Sequence, residues 1–452
     1  MFDSCQGTRI FICNNFIDIL NPFVMGHWFH RNPLKGTTKN DFSDLNRLAT
    51  SAVSHELIRE ANSARARLLQ LLTNPMSTED SVTKVMEEYF SIVQGFLIAP
   101  DDSGGGESRL RKSLKFRWSN TLLGTAPTIQ SDLEFEINSM LINIGLWYTK
   151  RASRLSSKED ISDQDTLAIH KSLKIAAGIF KYVKEMRCEK LTEPINVRCN
   201  DLDKSILSAY QYQSVAESQE VTIARAIGQK HSPSLIAGLC NETARVFKDA
   251  ECSLAAYVKE KEHKLKVLKW IKYLELKVAI YKAYTYCYFG RELLNGDKCG
   301  DAIRCLQESQ DYFTQASKTL AHEYSEAKGP GTNAQPWKHP FFLKVKSDVD
   351  LTLKKCMDEN GFIYHHKVPE VLPTLNTKAS YGMVDPILYE MPALSEKWNP
   401  DAYKAFDLSK LDVKLTKSEQ QKRKADDALD KKEIEPVPEE DIPKTNSTCV
   451  IS

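Results

Sequence analysis

Between residues 40 and 360 apolar side chains recur every three to four positions, and clusters of Pro and Gly fall between long periodic runs. The spacing predicts ten helices, at 40–72, 78–99, 107–122, 128–155, 162–187, 202–229, 233–260, 264–294, 299–326 and 340–359. The run from Leu265 to Phe289 is apolar on nearly every side, with Trp270, Tyr273, Leu276, Ile280, Tyr284 and Tyr288 among its members. A helix of that kind must be covered by neighbours on several faces, so its tyrosines are expected to be packing residues. After Gly361 the periodicity stops. Pro369, Pro373, Pro386 and Pro392 forbid a continuous helix, and the stretch to about Pro400 is expected to wrap back over the helices, burying Val371, Leu372, Tyr381, Ile387 and Trp398.

The aromatic run leads through Asn295-Gly296-Asp297-Lys298-Cys299-Gly300 into a second helix carrying Ala302, Ile303, Leu306, Phe313 and Ala316. Aromatic helix, Gly turn and Ala-containing helix together are similar to one tetratricopeptide hairpin. No strict repeat is visible, so the expected fold is all-α, a helical solenoid segment inside an irregular body. From about Ser409 to Thr448 apolar residues give way to Lys, Glu, Asp and Pro, a composition that cannot offset its ordering entropy by burial.

Charge and chemistry narrow the function. Sixty-one Lys and Arg stand against 60 Asp and Glu, a net charge of +1, which argues against a sequence-independent nucleic-acid binder. The eleven cysteines are scattered, form no C-x-x-C pair and have no His at zinc-ligand spacing, the pattern of reduced intracellular chemistry. Cys240, Cys252 and Cys287 lie in apolar runs and are expected in the core. No stretch reaches the roughly 18 apolar residues of a membrane span. The P-loop, G-x-S-x-G and H-E-x-x-H patterns are all absent, and no catalytic residue, cofactor or metal is expected.

One chemical signal is present. Cys449-Val450-Ile451-Ser452 is a CaaX box whose terminal Ser favours farnesylation of Cys449 by protein farnesyltransferase. A single short lipid gives only reversible membrane binding. The usual polybasic partner signal is missing, because Ala425 to Thr448 holds three basic residues against eight acidic ones. The second signal is therefore expected to be a protein partner already at the membrane.

Several separated segments carry a family resemblance: His27-Trp28-Phe29-His30-Arg31-Asn32-Pro33, Gly145-Leu146-Trp147-Tyr148-Thr149-Lys150, Ser172-Leu173-Lys174-Ile175-Ala176-Ala177-Gly178-Ile179-Phe180, Ala216-Glu217-Ser218-Gln219-Glu220-Val221 and Gly361-Phe362-Ile363-Tyr364. In order and type they resemble the BRO-one domain family of ESCRT adaptors, over about residues 26–410. The resemblance implies an elongated, banana-shaped helical domain with a tetratricopeptide-like core, a few short strands and an extended C-terminal wrap. It also implies binding of the C-terminal amphipathic helix of ESCRT-III subunits of the CHMP-four type. The implied contact is a shallow apolar patch after Gln219-Glu220-Val221, made of Thr222, Leu235 and Leu239 with Asp163 as an acidic flank. Leu235 and Leu239, four apart, share one helix face. Thr222 stands where relatives can carry a large aromatic. Tyr364 matches a family tyrosine linked to Src-kinase recognition, and is expected here mainly to pack.

The expected organisation is an N-terminal extension over 1–25 without family counterpart, the domain over 26–410, a disordered charged tail over 411–448 and the CaaX box over 449–452. The chain is expected to be a monomeric, non-catalytic cytoplasmic protein, lipid-anchored at endosomal membranes or the nuclear envelope. The competing expectation is a helical scaffold for another cytosolic peptide, with the lipid as a tether.

Overall fold

The computed structural model describes residues 30–38, 42–100, 106–158, 160–375, 379, 381–411 and 432–437. The N-terminal extension over 1–25 and the CaaX box lie outside the described residues. The helices are α1 Ala52–Thr73, α2 Glu79–Leu97, α3 Leu133–Ser156, α4 Asp163–Tyr182, α5 Lys204–Gly228, α6 Pro233–Val258, α7 Lys261–Asn295, α8 Cys299–Gln315, α9 Ala321–Glu326, α10 Pro340–Glu359 and α11 Pro400–Lys404. A single two-stranded antiparallel sheet among the described residues joins β1 Phe116–Asn120 to β2 Gly124–Gln130. Polar caps set many of the starts: Ser51, Thr78, Asp132, Ser162, Asp203 and Ser232 each accept a backbone N–H of the first turn.

From α3 to α8 each helix packs chiefly on the next, the layered order of a solenoid. Helix α7 is enclosed as its all-round apolar sequence requires, with Trp270, Tyr273, Leu274, Leu276, Ile280 and Tyr284 buried. The turn into α8 passes through Asp297 at φ 57, completing the expected hairpin.

The hairpin replaces an expected helix over 107–122. Leu110, Leu114, Trp118 and Leu122 recur at helical spacing, yet Gly124 at φ +85 and the β-branched and proline residues Thr125, Pro127 and Thr128 favour a turn and strand. All five residues of β1 are buried, so its pattern carries no alternation. Likewise the start of the expected helix at 40–72 is, among the described residues, a short 3₁₀ segment, Phe42–Arg47, followed by the α1 cap, and the expected helix at 128–155 begins at Leu133.

The C-terminal wrap is extended, but it buries less than expected. Trp398 is enclosed, donating its indole N–H to the Ile92 carbonyl at 2.8 Å, whereas Val371 and Tyr381 are 80% and 60% exposed and Ile387 is exposed too. Cys240 and Cys287 are core residues, but Cys252 is exposed on α6. In the segment expected to be a disordered tail, residues 432–437 pack on the body, with Ile434 buried.

Buried carboxylates join the elements. Glu136 of α3 accepts from Arg65 Nε at 2.7 Å, Tyr89 OH at 2.9 Å and Trp118 Nε1 at 2.6 Å. Lys277 of α7 donates to Glu220 of α5 at 2.8 Å. His30, pressed between Trp270, Tyr273 and Tyr324, is held neutral: desolvation pushes its pKa down to about 3. Between about pH 3 and 6.5 the unfolded chain therefore binds one proton more, so stability falls as pH falls. Urea unfolding should show His30 removing about 2 kcal/mol between pH 8 and pH 5, and this slope should flatten in a His30→Gln chain.

Candidate partner-binding site

The Gln219-Glu220-Val221 motif has three physical duties. Glu220 is tied to Lys277, and Val221 enters a small apolar cluster with Leu155, Ile169 and Leu173. Gln219 points the other way and clamps the wrap: its Nε2 donates to the Gly382 carbonyl at 2.8 Å, and its Oε1 accepts from Val384 N at 2.9 Å. A backbone–backbone bond, Ile387 N to the Lys174 carbonyl at 3.1 Å, fastens the same strap to α4. These contacts fix the rotation of α5, and the next residue, Thr222, is left half-exposed beside α4 and α6.

Ser232 caps α6, accepting from Leu235 N, and Pro233 supplies the preset φ of the first turn. Leu235 and Leu239 then follow on one face. Both are buried, at 8% and 1% exposure, and Gly382 lies over the second of them. Gly382 has φ +82, and a Cβ there would stand 3.4 Å from Leu239 Cδ2 and 3.9 Å from Thr222 Cγ2. A Cβ would fit there in ordinary contact, so it is the positive φ that favours glycine. The strap thus brings Thr222 and Leu239 together under Gly382, and converts Leu239 from surface to floor.

The exposed apolar atoms near this floor come from residues that family position does not single out. Tyr381 and Met383, on either side of Gly382, are 60% and 40% exposed. On α4, His170 lies 3.4 Å from Thr222 Oγ1, and Leu167, one turn earlier, is 57% exposed. Asp163 opens that helix and is exposed, two turns before His170. Burial, with Lys174 and Arg225 adding repulsion, pushes the His170 pKa down to about 4, so near neutral pH the ring is an uncharged hydrogen-bonding group. The sequence signal that could have found this surface is the stripe Asp163, Leu167, His170, spaced four and three apart.

Tyr364 lies elsewhere, in a π-helical turn that follows α10 and ends at His365 with φ 50. Its hydroxyl donates to Asp297 Oδ1 at 2.8 Å and its ring packs beside His366, so it braces the α7–α8 turn while remaining half-exposed. Cys449 lies outside the described residues. No group of three or more His, Cys, Asp or Glu is placed to hold a metal ion among the described residues.

The chain is thus a helical solenoid crossed by an extended strap, with exposed Leu167, Tyr381 and Met383 around half-exposed Thr222. The chain belongs to the BRO1-like domain family, whose sequence model matches residues 47–423. It is 45% identical over 386 residues to the human BRO1 domain-containing protein BROX, covering 85% of this chain and 92% of that protein. The BROX homolog of Caenorhabditis elegans is 35% identical over 448 residues, covering 95% and 100%. Among solved structures, the ALIX BRO1 domain in complex with CHMP4C superposes with a TM-score of 0.61 at 19% identity, over 82% of this chain and 98% of that one. A Bro1 domain described as a basis for endosomal targeting gives 0.56 at 21% identity, over 83% and 96%.

Proposed function

We propose that this chain is a non-catalytic adaptor that receives the C-terminal amphipathic helix of an ESCRT-III subunit of the CHMP4 type, and is held at membranes by a farnesyl group on Cys449. The observation that carries the reading is the fold it shares with an ALIX domain solved with CHMP4C, and the exposed apolar side chains Leu167, Tyr381 and Met383 around Thr222 are consistent with it. A helix-in-groove partner presents apolar anchors every three to four residues. Leu167, Thr222, Tyr381 and Met383 offer such anchors a wet-edged apolar surface over the Leu235 and Leu239 floor, and Asp163 offers a basic residue of the partner a counter-charge. The lipid supplies the second, weak attachment, so that membrane residence depends on both. Endosomal membranes and the nuclear envelope are the expected destinations, with a monomer as the working unit.

Fluorescence polarisation of a labelled CHMP4-type C-terminal helix tests the site on the full chain. Micromolar binding is expected, weakened at least tenfold by Leu167→Asp, whose side chain is exposed and whose fold should be intact. Equal affinity for the variant would place the helix elsewhere, and no binding by the parent chain would assign this surface to another cytosolic peptide. Intact mass of the protein from eukaryotic cells, with and without Cys449→Ser, tests the lipid.

A further inference from the structure

Residues 432–437 are seated on the β hairpin although twenty residues before them lie outside the described part of the chain. Ile434 N donates to the Thr125 carbonyl at 2.8 Å, its side chain is 8% exposed, and Val437 packs against the main core. The Arg117 guanidinium reaches the Lys432 carbonyl at 3.5 Å. On the inner side the segment meets Gly36, whose own N–H and carbonyl pair with Ser119 of β1 at 2.7 and 2.9 Å. A Cβ on Gly36 would overlap the Glu435 carbonyl oxygen and stand 3.0 Å from Ile434 Cγ2. The seat therefore fits this backbone only while residue 36 has no side chain.

We propose that residues 432–437 are a docked tether, which fixes the point on the body from which the lipid-bearing end of the chain departs. The inference rests on the reading of Cys449 as the lipidated residue. Twelve residues separate Val437 from Cys449, against 38 from Leu411. Fully extended, these reach about 40 Å and about 130 Å. Shortening the tether threefold confines the anchor to a volume roughly five times smaller. The anchor then leaves from the hairpin face, and a membrane-bound body is held close and oriented by that face. Release of Ile434 returns the longer leash.

Hydrogen exchange on the full-length chain tests the dock. The Ile434 amide should exchange at least tenfold more slowly in the parent than in Ile434→Asp, and trypsin should cut after Lys431 or Lys432 correspondingly more slowly. Gly36→Ala should release the segment as well. Ile434→Asp changes only the tail, so unaltered circular dichroism is expected and keeps the test readable if Gly36→Ala misfolds. Equal exchange in the parent and Ile434→Asp would overturn the dock. With farnesylation verified by mass, energy transfer from a dye on the body to labelled vesicles should fall in Ile434→Asp. Unchanged transfer would overturn the positioning role, whereas absence of the farnesyl mass would defeat the lipid reading and leave the exchange result to judge the dock.

Discussion

Leu239→Asp should unfold the domain instead of merely blunting a contact surface. The side chain is 1% exposed, sits in the main core and lies beneath Gly382. Burying a carboxylate there, together with losing the leucine packing, costs upwards of about 4 kcal/mol. That is a large share of the roughly 5–15 kcal/mol that holds a domain together. Urea unfolding should show a much lower midpoint, and partner binding should vanish along with near-ultraviolet circular dichroism. Leu167→Asp, with more than half of its side chain in water, should lose binding without that shift. A Leu239→Asp protein with native stability and no partner affinity would refute the buried placement and make Leu239 a true contact. Leu239→Ala, at about 2–5 kcal/mol, is the milder control for packing alone.

The two leucines illustrate how far sequence carries the site. Their i,i+4 spacing correctly puts them on one face of α6, but spacing says nothing of what covers that face. Cover comes from Gly382, more than 140 positions later, through a strap whose own burial was misjudged at Val371 and Tyr381. In an extended segment held by backbone hydrogen bonds to Gln219 and the Lys174 carbonyl, buried Val384 and core-packed Tyr389 sit among exposed Tyr381 and Leu388, so residue type alone does not tell which side chains are covered. The helices α3 to α8 were legible for the opposite reason: their amphipathic stripes, or in α7 the lack of one, are themselves the packing surfaces. The hairpin was hidden because a strand buried on both faces reads as a helix fragment. The seated tail was hidden because one isoleucine and one valine among charges resemble a solvated linker, and the complementary feature, Gly36, lies some 400 residues away.

Glu217→Ala should be the most damaging single change to the polar interior, lowering stability by about 3–5 kcal/mol. The carboxylate has no exposure, accepts three hydrogen bonds on Oε1 and faces Arg31 Nη2 with Oε2 as an ion pair, so that three parts of the chain meet on it. Arg31 Nη1 and Nη2 approach at 2.9 and 2.7 Å, Gln213 Nε2 at 2.7 Å and Tyr273 OH at 2.7 Å. Arg31 brings in the N-terminal segment, Tyr273 belongs to α7, and Glu217 itself is on α5. Truncation leaves a buried guanidinium that no longer has its carboxylate, together with a phenol and an amide that have lost an acceptor. Because the penalty belongs largely to the stranded cation, Arg31→Met combined with Glu217→Leu should cost less than the sum of the two single changes. A double-mutant cycle in urea measures that difference, and additive effects would mean that the pair is not coupled. The lesion also has a functional reach. Glu217 lies two residues before Gln219 and five before Thr222 on the same helix, so loosening it frees the rotation of α5 that aims one at the strap and the other at the exposed apolar surface. A Glu217→Gln chain, which keeps the shape and an acceptor, should hold that rotation better. Its partner affinity should therefore fall less than that of Glu217→Ala when both are compared at a temperature where both remain folded.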